Sequence, residues 1–482
     1  MDEPGTTPRS GLVVGVLAAA GITVSLMQTL IVPLIATLPA LLHTTTANAF
    51  WAITATLLAG AVAMPVSGRL GDLYGKRRVM VASALLLSAG SFVCAPAESL
   101  VPMVAGRALQ GLGMGVIPLG IAIMRDVLPP QRLGSAIGLM SSSLGVGGAL
   151  GLPAAALVAQ YVSWHALFWA AGGLGLLMSV LILLIVPESP VRSPGRLDVV
   201  GAIGLSAGLA LFLLPVSKGS EWGWTSGITL GMFGASALVL LLWGWWELRV
   251  PAPLIDLRTS ARRQVLMTNL ASIVIGFAMY AMSLITPQLL QLPAATGYGL
   301  GRSMVEAGLW MAPGGLVMMA ISPVAARLSA ARGPKTSLLL GALVIAAGYL
   351  MALVLMGHAW GILIFSSVVA AGIGFAYAAM PSIIMAAVPR TETAAANGLN
   401  SLMRAIGTSS ASAVLGAVLA NMTIKVGPAT LPSEAGFRTG FVIGAGVAVL
   451  AALIVTTIPG RRAAARHLAG APAGLDEELP AR

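Results

Sequence analysis

One short stretch, GRLGDLYGKRR at residues 68–78, gathers charge and glycine between two apolar runs. Only 9% of the whole chain is charged. The charged residues of the stretch are Arg69, Asp72, Lys76, Arg77 and Arg78. Asp72 can pair with nearby arginines or cap the N-terminus of a neighbouring helix, while Gly68 and Gly75 allow helices to approach closely and the backbone to turn tightly. Because such contacts can form in one conformation and break in another, the stretch predicts a conformational gate.

Two further charges, Arg107 and Arg404, fall inside apolar runs that are long enough to cross a bilayer. A mid-membrane arginine costs at least ~3 kcal/mol on insertion scales, so each one needs a partner or a wet cavity. Two arginines in a cavity without an acid would favour anionic or hydrogen-bond-accepting substrates. The alternative is that both arginines only hold helices together through hydrogen bonds to backbone or polar groups.

The composition of the chain excludes several classes of protein. Its 482 residues are 57% hydrophobic, and the mean hydropathy is +0.92, so lipid is the natural solvent. The single cysteine, Cys94, excludes an intrachain disulfide and a cysteine-based metal site. We predict no metal and no bound cofactor. The net charge of +11 does not indicate nucleic-acid binding, because the basic residues lie in short loops between apolar runs.

Apolar runs of about 20 residues predict an all-α polytopic membrane protein with fourteen spans. The spans are predicted at 11–38, 48–68, 79–97, 100–124, 134–160, 164–187, 199–217, 227–248, 265–292, 303–326, 337–357, 360–388, 394–421 and 437–459. With the N-terminus inside, 21 of the 27 basic residues face the cytoplasm and only 4 face outward. The positive-inside rule therefore predicts that both termini are cytoplasmic.

An internal repeat divides the chain. VLPPQRLGSAIGL (127–139) and AVPRTETAAANGL (387–399) share a proline, a glycine and a leucine at an offset of 260 residues. Repeated halves around a central site are a transporter architecture. We therefore predict four parts, namely a six-helix bundle at 1–190, two inserted helices at 191–260, a second six-helix bundle at 261–460, and a cytoplasmic tail at 461–482.

The stretch at 68–78 resembles the signature loop of the major facilitator superfamily, although Leu73 stands where the family usually has a basic residue. AGRALQGLGMG (105–115) resembles the helix 4 motif with its buried arginine, and RDVLPPQRLGSAIG (125–138) resembles the segment that pairs with the signature loop. The resemblance implies the major facilitator fold and a gate. The gate residues that it implies are Gly68, Asp72, Gly75, Lys76, Arg77, Arg78, Arg125, Asp126 and Arg132.

GVGGALGLPAAALVAQYVSWHALFW (145–169) is similar to the helix 5 antiporter motif of the family, at Gly147, Gly151 and Pro153. Together with fourteen spans, this similarity indicates the drug:proton antiporter branch that is found in actinobacteria and other bacteria. In that branch helix 1 typically carries an aspartate, but here Gln28 stands in its place and cannot carry a proton at physiological pH. If a proton gradient drives transport, the candidate carriers are Asp72, Asp126 and Glu306.

Eleven residues are candidates for lining a central cavity. The family resemblance implies the glutamines, the asparagines and Tyr280 among them. Trp310, Phe375 and Tyr377 could form an apolar wall for drug binding, and the two arginines are charges within spans. Each of these side chains could instead serve helix packing or interhelical hydrogen bonds. The candidate cavity residues are Gln28, Arg107, Gln110, Asn269, Tyr280, Trp310, Phe375, Tyr377, Asn397, Asn400 and Arg404.

The resulting prediction is a secondary exporter of small amphipathic compounds in the cell membrane, acting by alternating access and coupled to protons. An importer or an uncoupled facilitator of a metabolite with the same fold is the alternative. We predict no enzyme, because the chain has neither GxSxG nor HExxH, and Lys76 lacks the spacing of a phosphate-binding loop. The expected partners are a small-molecule substrate and the bilayer, with no nucleic acid and a monomeric chain.

Overall fold

A computed structural model of the chain describes residues 8–31, 34, 37–49, 51–426 and 429–459. Within these residues, fourteen helices are long and apolar enough to cross a membrane, which confirms the predicted fold class. The tail predicted at 461–482 lies outside the described residues. The spans are α1 (Pro8–Thr29), α2 (Trp51–Tyr74), α3 (Lys76–Cys94), α4 (Leu100–Val127), α5 (Pro130–Tyr161), α6 (Trp164–Ile185), α7 (Val199–Trp222), α8 (Gly227–Glu247), α9 (Arg263–Gln291), α10 (Met304–Arg332), α11 (Pro334–Leu355), α12 (Ala359–Met385), α13 (Thr393–Asn421) and α14 (Glu434–Thr456).

Two predicted boundaries were wrong. α1 ends at Thr29 and not near residue 38, since Pro33 has no N–H to give to the carbonyl of Thr29. The predicted loop between α2 and α3 is a single residue, Gly75. Its φ of 114° lies in a region that L side chains rarely adopt, and a Cβ there would lie 3.0 Å from Glu188 Oε2. The acidic part of the signature stretch is therefore the last turn of α2, while its basic part begins α3.

A tightly wedged helix, α4, crosses the first bundle. It changes to a 3₁₀ turn at Gly113–Gly115 and then resumes as α-helix. A Cβ at Gly111 would lie 2.5 Å from the Thr56 carbonyl oxygen on α2, and one at Gly113 would lie 2.6 Å from the Ser83 carbonyl oxygen on α3. Small residues thus let α4 approach both neighbours closely, as is usual where membrane helices pack.

Separate hydrophobic clusters fill the two six-helix bundles. The first cluster joins α1 to α6, with Met80 and Phe168 fully buried. The second joins α9 to α14 and includes Tyr349 and Phe441. The hydroxyl of Tyr349 donates to the carbonyl of Ala278, which satisfies a phenol that would otherwise be unpaired in the core.

Two crossed helix pairs join the halves, namely α5 with α10 and α2 with α13. On the first pair, Ser322 Oγ donates to the Gly138 carbonyl at 2.9 Å. On the second, a Cβ at Gly398 would lie 2.4 Å from the Met64 carbonyl oxygen. Gly138 and Gly398 are the matching glycines of the internal repeat. Each lies where a helix of one half crosses a helix of the other.

The two inserted helices lie beside the second of these crossings. Leu205 of α7 packs with Ala61 of α2 and Leu402 of α13 in one apolar cluster, so α7 covers the seam between the halves. α8 packs on α7, where Ser236 Oγ donates to the Gly208 carbonyl at 2.8 Å. Residues 248–262 then lead back to α9 along the cytoplasmic side.

A short hairpin of strands β1 (Thr423–Val426) and β2 (Ala429–Pro432) connects α13 to α14 at the outer face. The hydroxyl of Tyr298, from the segment between α9 and α10, donates to the carbonyl of Pro432. Burial raises the pKa of Tyr298, with the nearby Glu434 as a smaller cause. The hairpin is thereby tied to the second bundle and makes no part of the cytoplasmic gate.

We expect Gly398→Ala to lower the thermal unfolding temperature of the detergent-purified protein. Its new Cβ would collide with the backbone of α2, and overpacking of this kind costs about 1–3 kcal/mol. Gly416→Ala is the matched control on the same helix, because a Cβ there meets nothing within 4 Å. The control should be neutral or stabilising by roughly 0.5–1 kcal/mol. Equal losses in both variants would show that the crossing does not require glycine.

Candidate functional site

The carboxylate of Asp72 links the two halves at the cytoplasmic end. It lies in the last turn of α2 and accepts the backbone N–H groups of Ala394 at 3.2 Å and Ala395 at 2.8 Å, in the first turn of α13. The side chain is fully buried. A carboxylate at a helix N-terminus gains both charge-assisted hydrogen bonds and the favourable end of the helix dipole. Asp72 therefore caps a helix of the opposite half.

Lys76 balances the charge of Asp72. Its Nζ lies 3.4 Å from Asp72 Oδ1 and 2.6 Å from Asp126 Oδ2, and all three side chains are fully buried. Ser189 Oγ donates to the same Asp126 oxygen at 2.5 Å. Two acids and one lysine leave a net negative charge. The N-terminus of α13 can stabilise this charge only while α13 lies against Asp72. The cluster is therefore most stable when α13 packs against the end of α2.

A second set of contacts also joins the first half to the second. Here the first half donates the hydrogen bonds, through Arg125, whereas Asp72 accepts them. Arg125 Nη1 donates to Thr393 Oγ1 at 2.6 Å, and its Nη2 donates to the Met385 carbonyl at 2.6 Å and the Val388 carbonyl at 3.3 Å. These bonds join the end of α4 to the end of α12 and the start of α13. With Asp72, they hold the cytoplasmic ends of the halves together.

Three further predicted gate residues, Arg77, Arg78 and Arg132, make their contacts within the first half. The backbone N–H of Arg77 donates to Glu188 Oε1 at 3.1 Å, and Arg78 Nε lies 3.9 Å from Glu188 Oε2. Arg132 Nη1 donates to Ser10 Oγ at 3.1 Å. Gly68 belongs at the interface, because a Cβ there would lie 2.4 Å from the carbonyl oxygen of residue 394.

Arg107 is buried within the first bundle, at 2% exposure. Its Nε donates to the Ala52 carbonyl at 3.1 Å, and its Nη1 donates to the Met27 carbonyl at 3.2 Å and to Gln110 Oε1 at 2.6 Å. Gln110 in turn donates to Ser91 Oγ at 2.7 Å. The network joins α1, α2, α3 and α4. This arrangement is that of a positioning group.

Arg404 is only half-buried, where α9, α12 and α13 meet. Its Nη1 donates to Asn400 Oδ1 at 2.6 Å and its Nη2 to Ser401 Oγ at 2.7 Å, while its guanidinium lies 5.1 Å from the ring centre of Tyr377. Asn400 Nδ2 donates to Asn269 Oδ1 at 3.0 Å. Among the described residues, the remaining N–H groups of Arg404 have no partner. Four predicted cavity residues thus form one cluster with free donor capacity.

The remaining polar candidates do not join this cluster. Gln28 of α1 is half-buried, and its amide makes no hydrogen bond to the described part of the chain. Asn397 Nδ2 donates to the carbonyl of Thr393 at 2.9 Å and so serves its own helix. Tyr280 packs at the edge of the second core. Of these three, Gln28 keeps the greatest capacity to bind a substrate.

Of the aromatic candidates, one lies beside Arg404 and two lie elsewhere. Tyr377 faces Arg404 and donates to Met279 Sδ at 3.1 Å. Trp310 instead meets Trp360 edge to face at 4.9 Å, and Trp360 is 68% exposed on the lipid side. Phe375 lies in a small apolar cluster between α10 and α12. The positions of Trp310 and Phe375 are those of packing residues.

The helix 5 motif packs α5 onto α1. A Cβ at Gly147 would lie 2.4 Å from Ser25 Cβ, and one at Gly151 would lie 2.1 Å from Thr29 Oγ1. Pro153 lies against α10 at the outer end of the crossing between the halves. The motif therefore sets the spacing of three helices.

Glu306 has a local structural contact of its own. It forms a capping box with Ser303 at the start of α10, and its carboxylate lies 3.7 Å from Arg302 Nη1. The side chain is exposed at the outer face. Asp72 and Asp126 are buried at the opposite end of the molecule.

Sequence reasoning missed the segment after α6. The backbone N–H of Ser193 donates to the Asp72 carbonyl at 2.7 Å, and its Oγ donates to the Thr391 carbonyl at 2.6 Å. Glu188 and Ser189 of the same segment bind the gate residues described above. The run PESPVRSP carries no spacing that indicates these contacts. Arg69, which was noted only as a basic residue, also lies at this interface.

Comparison with known proteins gives a consistent result. Residues 17–412 and 292–477 match the family model described as the Major Facilitator Superfamily. Multidrug resistance protein Stp of Mycobacterium tuberculosis (strain CDC 1551 / Oshkosh) is 28% identical over 77% of this chain and 68% of its own length. The probable actinorhodin transporter of Streptomyces coelicolor is 28% identical over 76% of this chain and 65% of its own length. The chain thus spans about two thirds of the length of these relatives.

Two solved structures share the fold. The human organic anion transporter MFSD10 (TETRAN) superposes with a TM-score of 0.64 at 18% identity, covering 93% of this chain and 100% of that one. The proton:xylose symporter XylE also gives 0.64, at 14% identity, covering 94% of this chain and 96% of that one. At these identities the likeness establishes the architecture alone.

We expect Asp72→Ala to speed amide hydrogen exchange at Ala394 and Ala395 by roughly tenfold or more, because hydrogen bonds to a charged group contribute about 1.5–3 kcal/mol. Mass-spectrometric exchange on the intact protein measures this change. Asp198→Ala is the control, since Asp198 caps its own helix at Gly201 N–H, 2.9 Å away. Unchanged exchange at the start of α13 in Asp72→Ala would contradict the cap across the halves.

Arg107→Gln and Arg404→Gln should differ in their effect on the stability of the protein. We expect Arg107→Gln to lose at least about 2 kcal/mol of stability, because two buried carbonyls lose charged donors. Arg404→Gln should unfold near the wild-type temperature, since its side chain is half-buried and partly unpaired. Thermal unfolding checks both variants. A reversed order of unfolding temperatures would show that Arg404 is the structural arginine.

Proposed function

Because the chain belongs to the major facilitator superfamily, we propose that it is a secondary exporter of small amphipathic compounds, including antibiotics and other drugs. It would move them out across the cytoplasmic membrane by alternating access. Membership and the fourteen spans make the chain a multi-pass transporter of the cell membrane and not an enzyme. The names of the reported relatives, a multidrug resistance protein and a probable actinorhodin transporter, support the exporter proposal.

The cap that Asp72 places on α13 is the observation that carries this proposal. Alternating access requires contacts that join the halves on one side and can be broken as a set. Asp72 and Arg125 reach from the first half to the start of α13 and the end of α12, where their partners are mostly backbone groups. Moving α13 together with the end of α12 away from the first half would break both sets of contacts together. These contacts support the proposal that the halves are closed on the cytoplasmic side.

The cluster around Arg404 supports a preference for anionic or hydrogen-bond-accepting compounds. Its guanidinium keeps free donors, and Tyr377 and Asn269 lie beside it. No acid lies within this cluster in the described residues, so a cation would find no counter-charge there. A complete cluster within one chain supports a monomer as the working unit.

Proton coupling, if present, would use the gate acids. Gln28 stands where the branch has its usual aspartate, and the described carboxylates lie toward the helix ends. Neutralising Asp72 by protonation would remove the charge that holds α13, and neutralising Asp126 would leave Lys76 to Asp72 alone. Glu306 is a weaker candidate because it already serves a capping box. An uncoupled facilitator or an importer is the competing function, and Gln28 in place of the aspartate favours uncoupled movement or an unusual coupling.

A resistance panel tests the proposal. A host that lacks its own major pumps would express the wild type or Asp72→Ala and be challenged with anionic, neutral and cationic antibiotics and dyes. We expect the wild type to raise the inhibitory concentration of several compounds, mainly anionic and neutral ones, because Arg404 offers donors without a counter-acid. Asp72→Ala should protect weakly, because its gate does not close. Membrane insertion is checked by immunoblot.

The same cells separate the alternatives. Protection only against cationic dyes would contradict the assigned role of Arg404. An inserted wild type that protects against nothing would contradict export and direct attention to metabolite uptake. If a protonophore abolishes export, and Asp126→Asn abolishes substrate-driven proton movement in inverted vesicles, protons drive the cycle. Export that survives the protonophore would contradict proton coupling.

A further inference from the structure

A cytoplasmic pocket of about 290 Å³ lies beside the gate. Its walls come from the end of α2, from the start of α13, and from the segment that joins α8 to α9. Ser193 and Pro194, which follow α6, complete the lining. The pocket therefore touches both halves and the inserted segment, and its shape depends on the gate being closed.

Arg69 lines this pocket, and its guanidinium retains hydrogen-bonding capacity among the described residues. The residue is 6% exposed, and its Nε is buried without a hydrogen bond. Within the described part of the chain, the guanidinium makes neither a hydrogen bond nor an ion pair. The adjacent acid of the signature stretch, Asp72, is already bound by Lys76 and by α13. A buried charge without a hydrogen-bonded counter-charge costs several kcal/mol, so Arg69 can gain from an oxygen acceptor beyond those that the described residues provide.

Two hydroxyl groups of the pocket are also free to donate. Ser260 and Thr391 line the pocket, and neither side-chain oxygen donates to a described residue. Together with Arg69, they can offer several N–H and O–H donors to one group of oxygens. Arginine recognises phosphate and carboxylate groups through paired hydrogen bonds.

The pocket also contains two acids, which must be accounted for. Asp256 already accepts the backbone N–H groups of Arg258 at 2.9 Å and Thr259 at 3.3 Å, and the hydroxyl of Thr259 at 2.5 Å. Although burial raises the pKa of Asp256, these hydrogen bonds bring it below its ordinary value. Its charge is thus held by its own turn.

Glu392 is the one internal group that could compete for Arg69. It is half-buried just before α13, and its charge attracts that of Arg69, but neither an ion pair nor a hydrogen bond joins the two side chains among the described residues. A rotation of its side chain would have to supply the missing acceptor. The variant Glu392→Gln therefore distinguishes two cases, namely Arg69 paired with Glu392 and Arg69 paired with an external anion.

We propose that this pocket binds an oxyanion, a phosphate or carboxylate group of a cytoplasmic solute or an anionic lipid headgroup, on the guanidinium of Arg69. The bound anion stabilises the cytoplasm-closed state, because the pocket has walls from both halves. Pro251, Pro253 and Leu254 form an apolar rim for the remainder of the ligand. A ligand that binds one state in preference shifts the population toward it. The anion would thus regulate how often the transporter opens to the cytoplasm.

Inorganic phosphate is the first probe, added to the full-length protein in a phosphate-free detergent buffer at matched ionic strength. At millimolar concentrations general salting effects are small. We expect phosphate to raise the unfolding temperature of the wild type and to slow amide exchange at residues 393–399. Arg69→Gln should bind phosphate about tenfold more weakly or worse, since it loses a charged donor. Arg78→Gln, an exposed change in the same stretch, should respond like the wild type.

Nanodiscs distinguish the two sources of the anion. If phosphatidylglycerol slows exchange at 393–399 relative to phosphatidylcholine and phosphate does not, the group belongs to a lipid. If phosphate acts in both lipids, it belongs to a solute. Either result supports the proposed site only when the slowing of amide exchange is absent in Arg69→Gln.

Three results would overturn the proposal. The first is a wild type that responds to neither phosphate nor phosphatidylglycerol. The second is Arg69→Gln that responds as strongly as the wild type. The third is a loss of response in Glu392→Gln, which would make Glu392 a necessary part of the arginine's environment; removal of a nearby negative charge should instead strengthen anion binding. Without any anion, Arg69→Gln should be at least as stable as the wild type, because it removes a buried charge that has no hydrogen-bonded counter-charge among the described residues. A large loss of stability there would show that Arg69 has an internal partner.

Discussion

A carboxylate that is removed from water must be paired, and the arrangement at the cytoplasmic end of this transporter follows from that requirement. Asp72 is fully buried and is satisfied by Lys76 and by two N–H groups at the start of α13. The second of these contacts exists only when the halves are together. Gly68 contributes by letting α2 approach α13 closely. Because two of the hydrogen bonds that satisfy Asp72 come from α13, pairing this buried charge also joins the two six-helix bundles.

The two intramembrane arginines show how environment divides the roles of one residue type. Arg107 gives its donors to backbone carbonyls of two helices and to Gln110, and is almost completely buried. Arg404 is half-buried, stacks near Tyr377 and keeps unused donors among the described residues. Both avoid the cost of an isolated charge in the bilayer, but only the second retains the capacity to bind something else.

The inserted helices are more than a spacer between the halves. α7 covers the seam between α2 and α13, and the segment after α8 closes one side of the pocket that contains Arg69. Any separation of α2 from α13 must therefore change the surroundings of α7 and of that pocket. The insertion is placed where it can respond to the state of the gate.

The sequence alone determined the fourteen spans, the orientation and the gate stretch, because hydropathy, loop charge and motif spacing are local properties that do not depend on distant residues. It also indicated that Asp72 could cap a neighbouring helix. It could not show that the helix is α13, more than 300 residues away, nor that the expected loop is Gly75 alone. The tertiary structure decided which arginine is enclosed, that Trp310 meets the exposed Trp360, and that Arg69 is buried with an Nε that makes no hydrogen bond to the described residues. These outcomes depend on which side chains from separate helices converge in space, and no local pattern of residue types encodes that convergence.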